Sequence, residues 1–191
     1  MPHIPLNENL PGITGILNYR TDTALPIRQL TQILLRGESS LSEGERELIA
    51  TIVSHGNECR FCTAAHTAAA NILLGESETT EQVKYHLNDA PVSDKMKSLL
   101  VIARAVGISG RNVTPAMIQS AKDNNATDRE IHDTVLIAAL FSLYNRLVDG
   151  LASITPADPA FYESLAVILK DKGYLPSENR YASLKAINEP A

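Results

Sequence analysis

Only two cysteines occur in the chain. They stand three apart in Cys59-Arg60-Phe61-Cys62, with His66 four residues further on and Glu47 twelve residues before the first. Two thiols, an imidazole and a carboxylate form a set that thiol redox chemistry can use in full. If the alanine-rich stretch after Asn57 is helical, Cys59 and Cys62 form an i, i+3 pair and Cys62 and His66 an i, i+4 pair on one face. Residues so spaced in a first helical turn have Cα atoms roughly 5–6 Å apart, within reach of a reversible disulfide. A thiol near a helix N-terminus feels the positive end of the macrodipole, and a neighbouring imidazole can take its proton. Thiolate should then form more readily than at the free-cysteine pKa of about 8.5. On these grounds either cysteine is a candidate nucleophile.

Glu47 belongs to the preceding element. Ser42 to Ser54 predicts a helix: Ser42 is a cap, Glu45 follows three residues on as in a capping box, and Leu48, Ile49, Ile52 and Val53 supply an apolar stripe of helical period. Gly56 marks its end, and a reversal there brings Glu47 beside the thiols. On an apolar helix face the carboxylate should be partly desolvated, which predicts a raised pKa and a role as proton acceptor and donor.

Blander readings of the pair fit less well. Free cysteines are often small buried hydrophobes, but that account leaves the glutamate and histidine offsets without a reason. Two thiolates, an imidazole and a carboxylate could hold zinc, yet zinc CxxC pairs sit in tight knuckles with a second ligand pair rather than in an alanine-rich helix. A thioredoxin-type site needs a βαβ pattern that the chain lacks.

The spacing Glu47, Cys59, Cys62, His66 resembles the signature of the AhpD-like alkylhydroperoxidases in the carboxymuconolactone decarboxylase superfamily. Gly12-Ile13-Thr14-Gly15-Ile16-Leu17, Leu34-Leu35-Arg36-Gly37, Gly44-Glu45-Arg46-Glu47-Leu48-Ile49-Ala50 and Asn145-Arg146-Leu147-Val148-Asp149 are similar to its peroxidase-related branch. The likeness runs from about Gly12 to Leu151. It implies an all-α, AhpD-like helical bundle that assembles as a homo-oligomer and reduces hydrogen peroxide or small organic hydroperoxides. In that scheme Cys62 attacks the peroxide, Cys59 resolves, Glu47 and His66 relay protons, and an external dithiol returns the electrons. No bound cofactor or metal is implied. The chain departs from the pattern at Phe61, where the family carries a histidine; His55 is a candidate substitute, though an exposed helix-end position that caps carbonyls suits it better. Two alternatives keep the same residues: a redox-sensing or interaction module that uses the disulfide as a switch, and a non-redox enzyme of the decarboxylase type.

Composition is consistent with this reading. The chain has 191 residues, of which 44% are hydrophobic, enough for one sizeable core. Two cysteines spaced for exchange suit a reducing, cytoplasmic setting. Pro2, Pro5 and Pro11 interrupt the first residues, which do not read as a signal peptide, and no stretch has the length to span a bilayer. A net charge of −5 without a basic run argues against nucleic acid as a partner.

Caps and periodicity predict helix after helix. Residues 1–24 read as an irregular arm, 25–172 as the helical domain and 173–191 as a C-terminal extension, loose or clasping a partner. Within the domain, helices are expected over 25–36, 42–54, 58–74, 80–85, 95–106, 115–124, 127–154 and 158–172, with stops at Gly37, Gly75 and Gly107. On the longest helix, Asn145, Arg146 and Asp149 are expected to serve packing or a subunit interface rather than catalysis. His86 and His132 are expected in solvent, and His3 in the arm.

Overall fold

The computed structural model describes residues 1–177, 180, 181 and 184. Among these there is no strand. Nine α-helices follow one another: α1 Ile13–Tyr19, α2 Thr21–Arg36, α3 Glu43–Gly56, α4 Arg60–Leu74, α5 Glu78–Tyr85, α6 Asp94–Ile108, α7 Pro115–Asp123, α8 Asp128–Gly150 and α9 Pro159–Lys172, with a 3-10 turn at Gly110–Asn112.

The predicted caps operate. Ser42 and Glu45 complete a capping box on α3, Ser93 accepts from the Met96 N–H on α6, Thr114 accepts from Met117 ahead of Pro115, and Thr127 with Glu130 forms a second capping box on α8. Gly75 ends α4 in the left-handed conformation.

The N-terminal expectation needs correction. Residues 13–19 are helical, and α2 begins at Thr21 and passes through Pro26. Pro26 lies in the second turn of α2, where the proline has little helix before it to disrupt. The arm is pinned rather than loose: the Gly12 N–H donates to the Ile154 carbonyl oxygen at 2.9 Å and the Ser153 hydroxyl to the Gly12 carbonyl oxygen at 2.9 Å. Gly107, expected as a stop, lies inside α6.

Helix α3 is the centre of the bundle. Ten of its residues are buried, and it packs on α4, α6 and α8. Helices α3 and α4 form an antiparallel hairpin, since Gly44 at the start of one lies against Leu73 and Leu74 at the end of the other. The reversal is tight. The Cys59 N–H reaches back to the Ser54 carbonyl oxygen at 3.1 Å, and Glu58, not Gly56, takes the left-handed conformation, at φ 59°. A side chain held there stores strain of order 1–3 kcal/mol immediately before the first cysteine. Helix α9 covers α4 on the outside.

The C-terminal expectation also changes. Arg180 donates to the Leu175 carbonyl oxygen at 2.8 Å and to the Gly173 carbonyl oxygen, while Tyr174 and Leu184 are buried. The described residues of this segment therefore fold back on their own chain. The rest of the expected extension, 178–179, 182–183 and 185–191, lies outside the described residues.

Candidate active site

The α3–α4 hairpin brings Glu47 to His66: Nδ1 of the ring lies 2.7 Å from Oε2. The other carboxylate oxygen, Oε1, accepts from Arg36 Nη2 at 2.7 Å and from the Tyr174 hydroxyl at 2.6 Å. The Glu47 side chain is fully buried. Burial alone would raise its pKa, but the His66 ring, the Arg36 guanidinium and the Tyr174 hydroxyl together outweigh it and lower the pKa to about 2. This reverses the expected raised value. Glu47 stays ionised at neutral pH and is not itself a proton carrier. An ionised carboxylate only accepts hydrogen bonds, so Nδ1 of His66 must hold a proton, and in the neutral ring Nε2 is then the acceptor.

Tyr174 keeps its proton because burial and the adjacent Glu47 charge push its pKa well up. The Arg36 guanidinium lies 5.1 Å from the Tyr174 ring centroid, which places a cation over an aromatic face.

Cys59 occupies the N-cap of α4, one residue earlier than the first-turn position expected, and Cys62 follows three residues on, one turn before His66. Both are free thiols and both are buried. Their environments differ. The Cys62 thiol hydrogen-bonds to Cys59 and lowers its pKa; burial opposes this, and the Cys62 backbone N–H adds to the lowering. Cys62 is pushed well up by its bond to Cys59, by burial and by the negative charge on Cys59. Of the two thiols, Cys59 is therefore the more readily ionised.

Asn145 also enters this site, contrary to the purely structural place expected for it. Its side chain hydrogen-bonds Cys62 and favours the thiolate there. It is held by Asn57 Nδ2 at 2.9 Å to its Oδ1 and by its own Nδ2 donating to the Ser54 hydroxyl at 3.1 Å. Asp149 acts on Cys59 in the opposite sense and raises it. Arg146 turns away and donates to the Ser142 carbonyl oxygen at 2.9 Å.

Cys62 and His66 line a small enclosed cavity of about 40 Å³. Its other walls are mostly apolar or aromatic: Ile13, Phe61, Leu165 and Tyr144 among them. Phe61, the departure from the family pattern, is buried and packs edge-on against Tyr162 at 5.8 Å between ring centroids. Gly12 makes room for it, since a Cβ there would lie 2.2 Å from the Phe61 ring. His55 does not replace the missing histidine in this cavity. It stacks edge-on against Tyr85 at 4.9 Å and lines a separate groove. His86 and His132 are exposed, the latter 2.8 Å from Asp133.

Sequence reasoning missed Arg36, Tyr174 and Asn145 as parts of the site. Arg36 and Asn145 stand in the quoted motifs, so their presence was visible but their direction was not. Tyr174 follows Gly173 in the polar tail, and nothing in its neighbours signals a return to the core.

An all-helical bundle that sets the second cysteine of a CxxC pair and the histidine of a Glu–His dyad on one small cavity has an architecture similar to AhpD-like proteins. Residues 26–84 match the carboxymuconolactone decarboxylase family. Among solved structures, a peroxidase-related protein from Silicibacter sp. TM1040 is similar, with 26% identity, a TM-score of 0.70 and 77% of each chain covered. A second, from Ralstonia eutropha JMP134 and described as an alkylhydroperoxidase AhpD core, shares the fold at 23% identity and a TM-score of 0.72, over 82% of this chain and 80% of that one. No curated protein matches the chain. The chain is thus similar to AhpD-like proteins in fold and, over residues 26–84, to the carboxymuconolactone decarboxylase family.

Proposed function

We propose that the protein is a dithiol peroxidase acting on hydrogen peroxide or organic hydroperoxides. The observation that carries the reading is that Cys62 and His66 share one enclosed cavity, with the His66 tautomer fixed by an ionised Glu47.

In this cycle the Cys62 proton passes to Nε2 of His66, and the sulfur attacks the distal oxygen of ROOH. The O–O bond breaks, Cys62 becomes a sulfenic acid, and the departing RO⁻ takes the proton from His66 and leaves as ROH. Cys59 thiolate then attacks the sulfenic sulfur, forming the Cys59–Cys62 disulfide; the displaced hydroxide takes a proton and leaves as water. An external dithiol reduces the disulfide and is itself oxidised to a disulfide, which restores both thiols.

The difference in acidity supports giving the two sulfurs different tasks. The lowered pKa of Cys59 suits the resolving step, and the raised pKa of Cys62 calls for a base in the same cavity. Glu47 orients the ring and fixes its tautomer instead of carrying the proton. The reading includes a cytoplasmic homo-oligomer; exposed Ile33 and Ile108 offer apolar surface for assembly, and light scattering tests it.

Stopped-flow oxidation of the pre-reduced protein by hydrogen peroxide tests the activity. Fast single-turnover loss of both thiols, with return on adding a dithiol, is the expected result. Slow oxidation accompanied by a change of shape would support a redox switch instead.

A further inference from the structure

The small cavity at Cys62 does not stand alone. An outer groove of about 850 Å³ lies between α1, α2 and the C-terminal segment, and its lining includes Leu17, Arg28 and Tyr181. The same three residues line the inner cavity. They border both spaces, which meet there. Arg28 is held at this border by donating to the Tyr181 hydroxyl at 3.1 Å and to the Tyr174 carbonyl oxygen at 3.3 Å.

We propose that the outer groove is a binding site for the hydrocarbon tail of an unbranched alkyl hydroperoxide, whose terminal –CH2–OOH passes Leu17, Arg28 and Tyr181 into the cavity at Cys62. This rests on the peroxidase reading above and narrows its substrate class. The inner cavity, at about 40 Å³, has room for about three water-sized groups at about 10–15 Å³ each. A terminal –CH2–OOH has three heavy atoms. A tertiary carbon next to the peroxide adds two further substituents, more than that volume holds. The groove outside is wider; Leu10, Leu17, Ala24, Leu25 and Pro176 give it an apolar strip suited to methylene groups, with Asn18, Thr21, Asp22, Ser177 and Arg180 also in its lining.

Size alone would have pointed elsewhere. A larger groove, about 1260 Å³ between α4 and α9, shares no lining residue with the inner cavity. In the outer groove Leu25 is 45% exposed, so a larger side chain can be placed there without disturbing the core.

The test is single-turnover oxidation of the pre-reduced full chain by hydrogen peroxide, by n-alkyl hydroperoxides of two to eight carbons, and by tert-butyl hydroperoxide. The rate constant should rise along the linear series by up to about fourfold per methylene, the equivalent of about 0.8 kcal/mol per buried CH2. The tertiary peroxide should react at least about tenfold more slowly than its linear isomer. Leu25→Trp should flatten the linear series and leave the hydrogen peroxide rate unchanged. A flat series in the native chain beside fast hydrogen peroxide oxidation, or a chain-length dependence that survives Leu25→Trp, overturns the tail site and leaves the thiol chemistry intact. If no peroxide oxidises the thiol, the peroxidase reading fails and labelling decides the groove: in Cys59→Ser, n-alkyl methanethiosulfonates should label Cys62 faster with chain length, and Leu25→Trp should remove that dependence. Labelling indifferent to both overturns the tail site as well.

Discussion

Glu47 and Glu130 are both buried carboxylates, and both have pKa values lowered to about 2. Yet only one of them sits in a site. Glu130 is the third residue of α8, where it closes a capping box on Thr127 and accepts from Lys95 Nζ at 2.7 Å and from the Ser40 hydroxyl at 2.9 Å. All of those partners hold helices to each other. Glu47 also bridges elements, through Arg36 on α2 and Tyr174 after α9, but its remaining oxygen holds an imidazole that lines a cavity with a thiol. A strong shift therefore identifies a carboxylate that is tightly partnered; a partner that shares a cavity with a thiol is what makes Glu47 the candidate for chemistry.

The first way to break this comparison is by rate. Glu47→Gln and His66→Asn should each slow Cys62 oxidation by about 10²–10⁴-fold, the usual contribution of a positioned acid or base, whereas Glu130→Gln should leave the rate unchanged. Stopped-flow thiol oxidation reads all three. A rate loss in Glu130→Gln matching that in Glu47→Gln would mean that both act only through stability.

Stability is the next contrast. Glu47→Gln leaves the buried Arg36 guanidinium facing a neutral amide and should cost about 3–5 kcal/mol in urea unfolding. Glu130→Gln weakens the Lys95 pair and the capping box and should cost less, about 1–3 kcal/mol. Tolerance of Glu47→Gln would contradict the buried-pair account.

Acid should act on both carboxylates together. Each has a folded pKa near 2 against an ordinary 4.5. Below about 4.5 the unfolded chain binds these protons and the folded chain does not, so stability present above pH 4.5 is lost as pH falls toward 2. Unfolding followed by circular dichroism should show this slope, and removing either carboxylate should reduce it. The smallest effect is expected from Tyr174→Phe. Losing one hydroxyl on Glu47 should cost on the order of 1–2 kcal/mol of stability and slow oxidation only severalfold, since His66 keeps its partner.

Much of this was legible in the chain itself, for definite reasons. Caps and apolar period are local signals, so Ser42, Ser93, Thr114 and Thr127 mark the starts of α3, α6, α7 and α8. The Cys59, Cys62 and His66 offsets lie on or beside one helix, and a single reversal adds Glu47. What could not be read depends on distant packing. Tyr174 reaches Glu47 across 127 residues, and Asn145 meets Cys62 only because α8 crosses α4. The sign of the Glu47 shift was misjudged for the same reason: local sequence announces the burial, while the charges that outweigh it come from α2, α4 and the C-terminal segment. Residues 13–24 read as irregular because Pro11 and Gly12 suggest a break, yet α1 starts just after them and is held by α8.

The central claim is that Cys62, not the more acidic Cys59, meets the peroxide. Dimedone-type trapping in the two serine variants tests it directly. Cys59→Ser should be oxidised once by hydrogen peroxide and stop at a sulfenic acid on Cys62 that the probe captures, while Cys62→Ser should give no fast oxidation and no adduct. A trapped sulfenic acid on Cys59 in Cys62→Ser, with none on Cys62 in Cys59→Ser, would contradict the account and give the attacking role to the helix-cap thiolate.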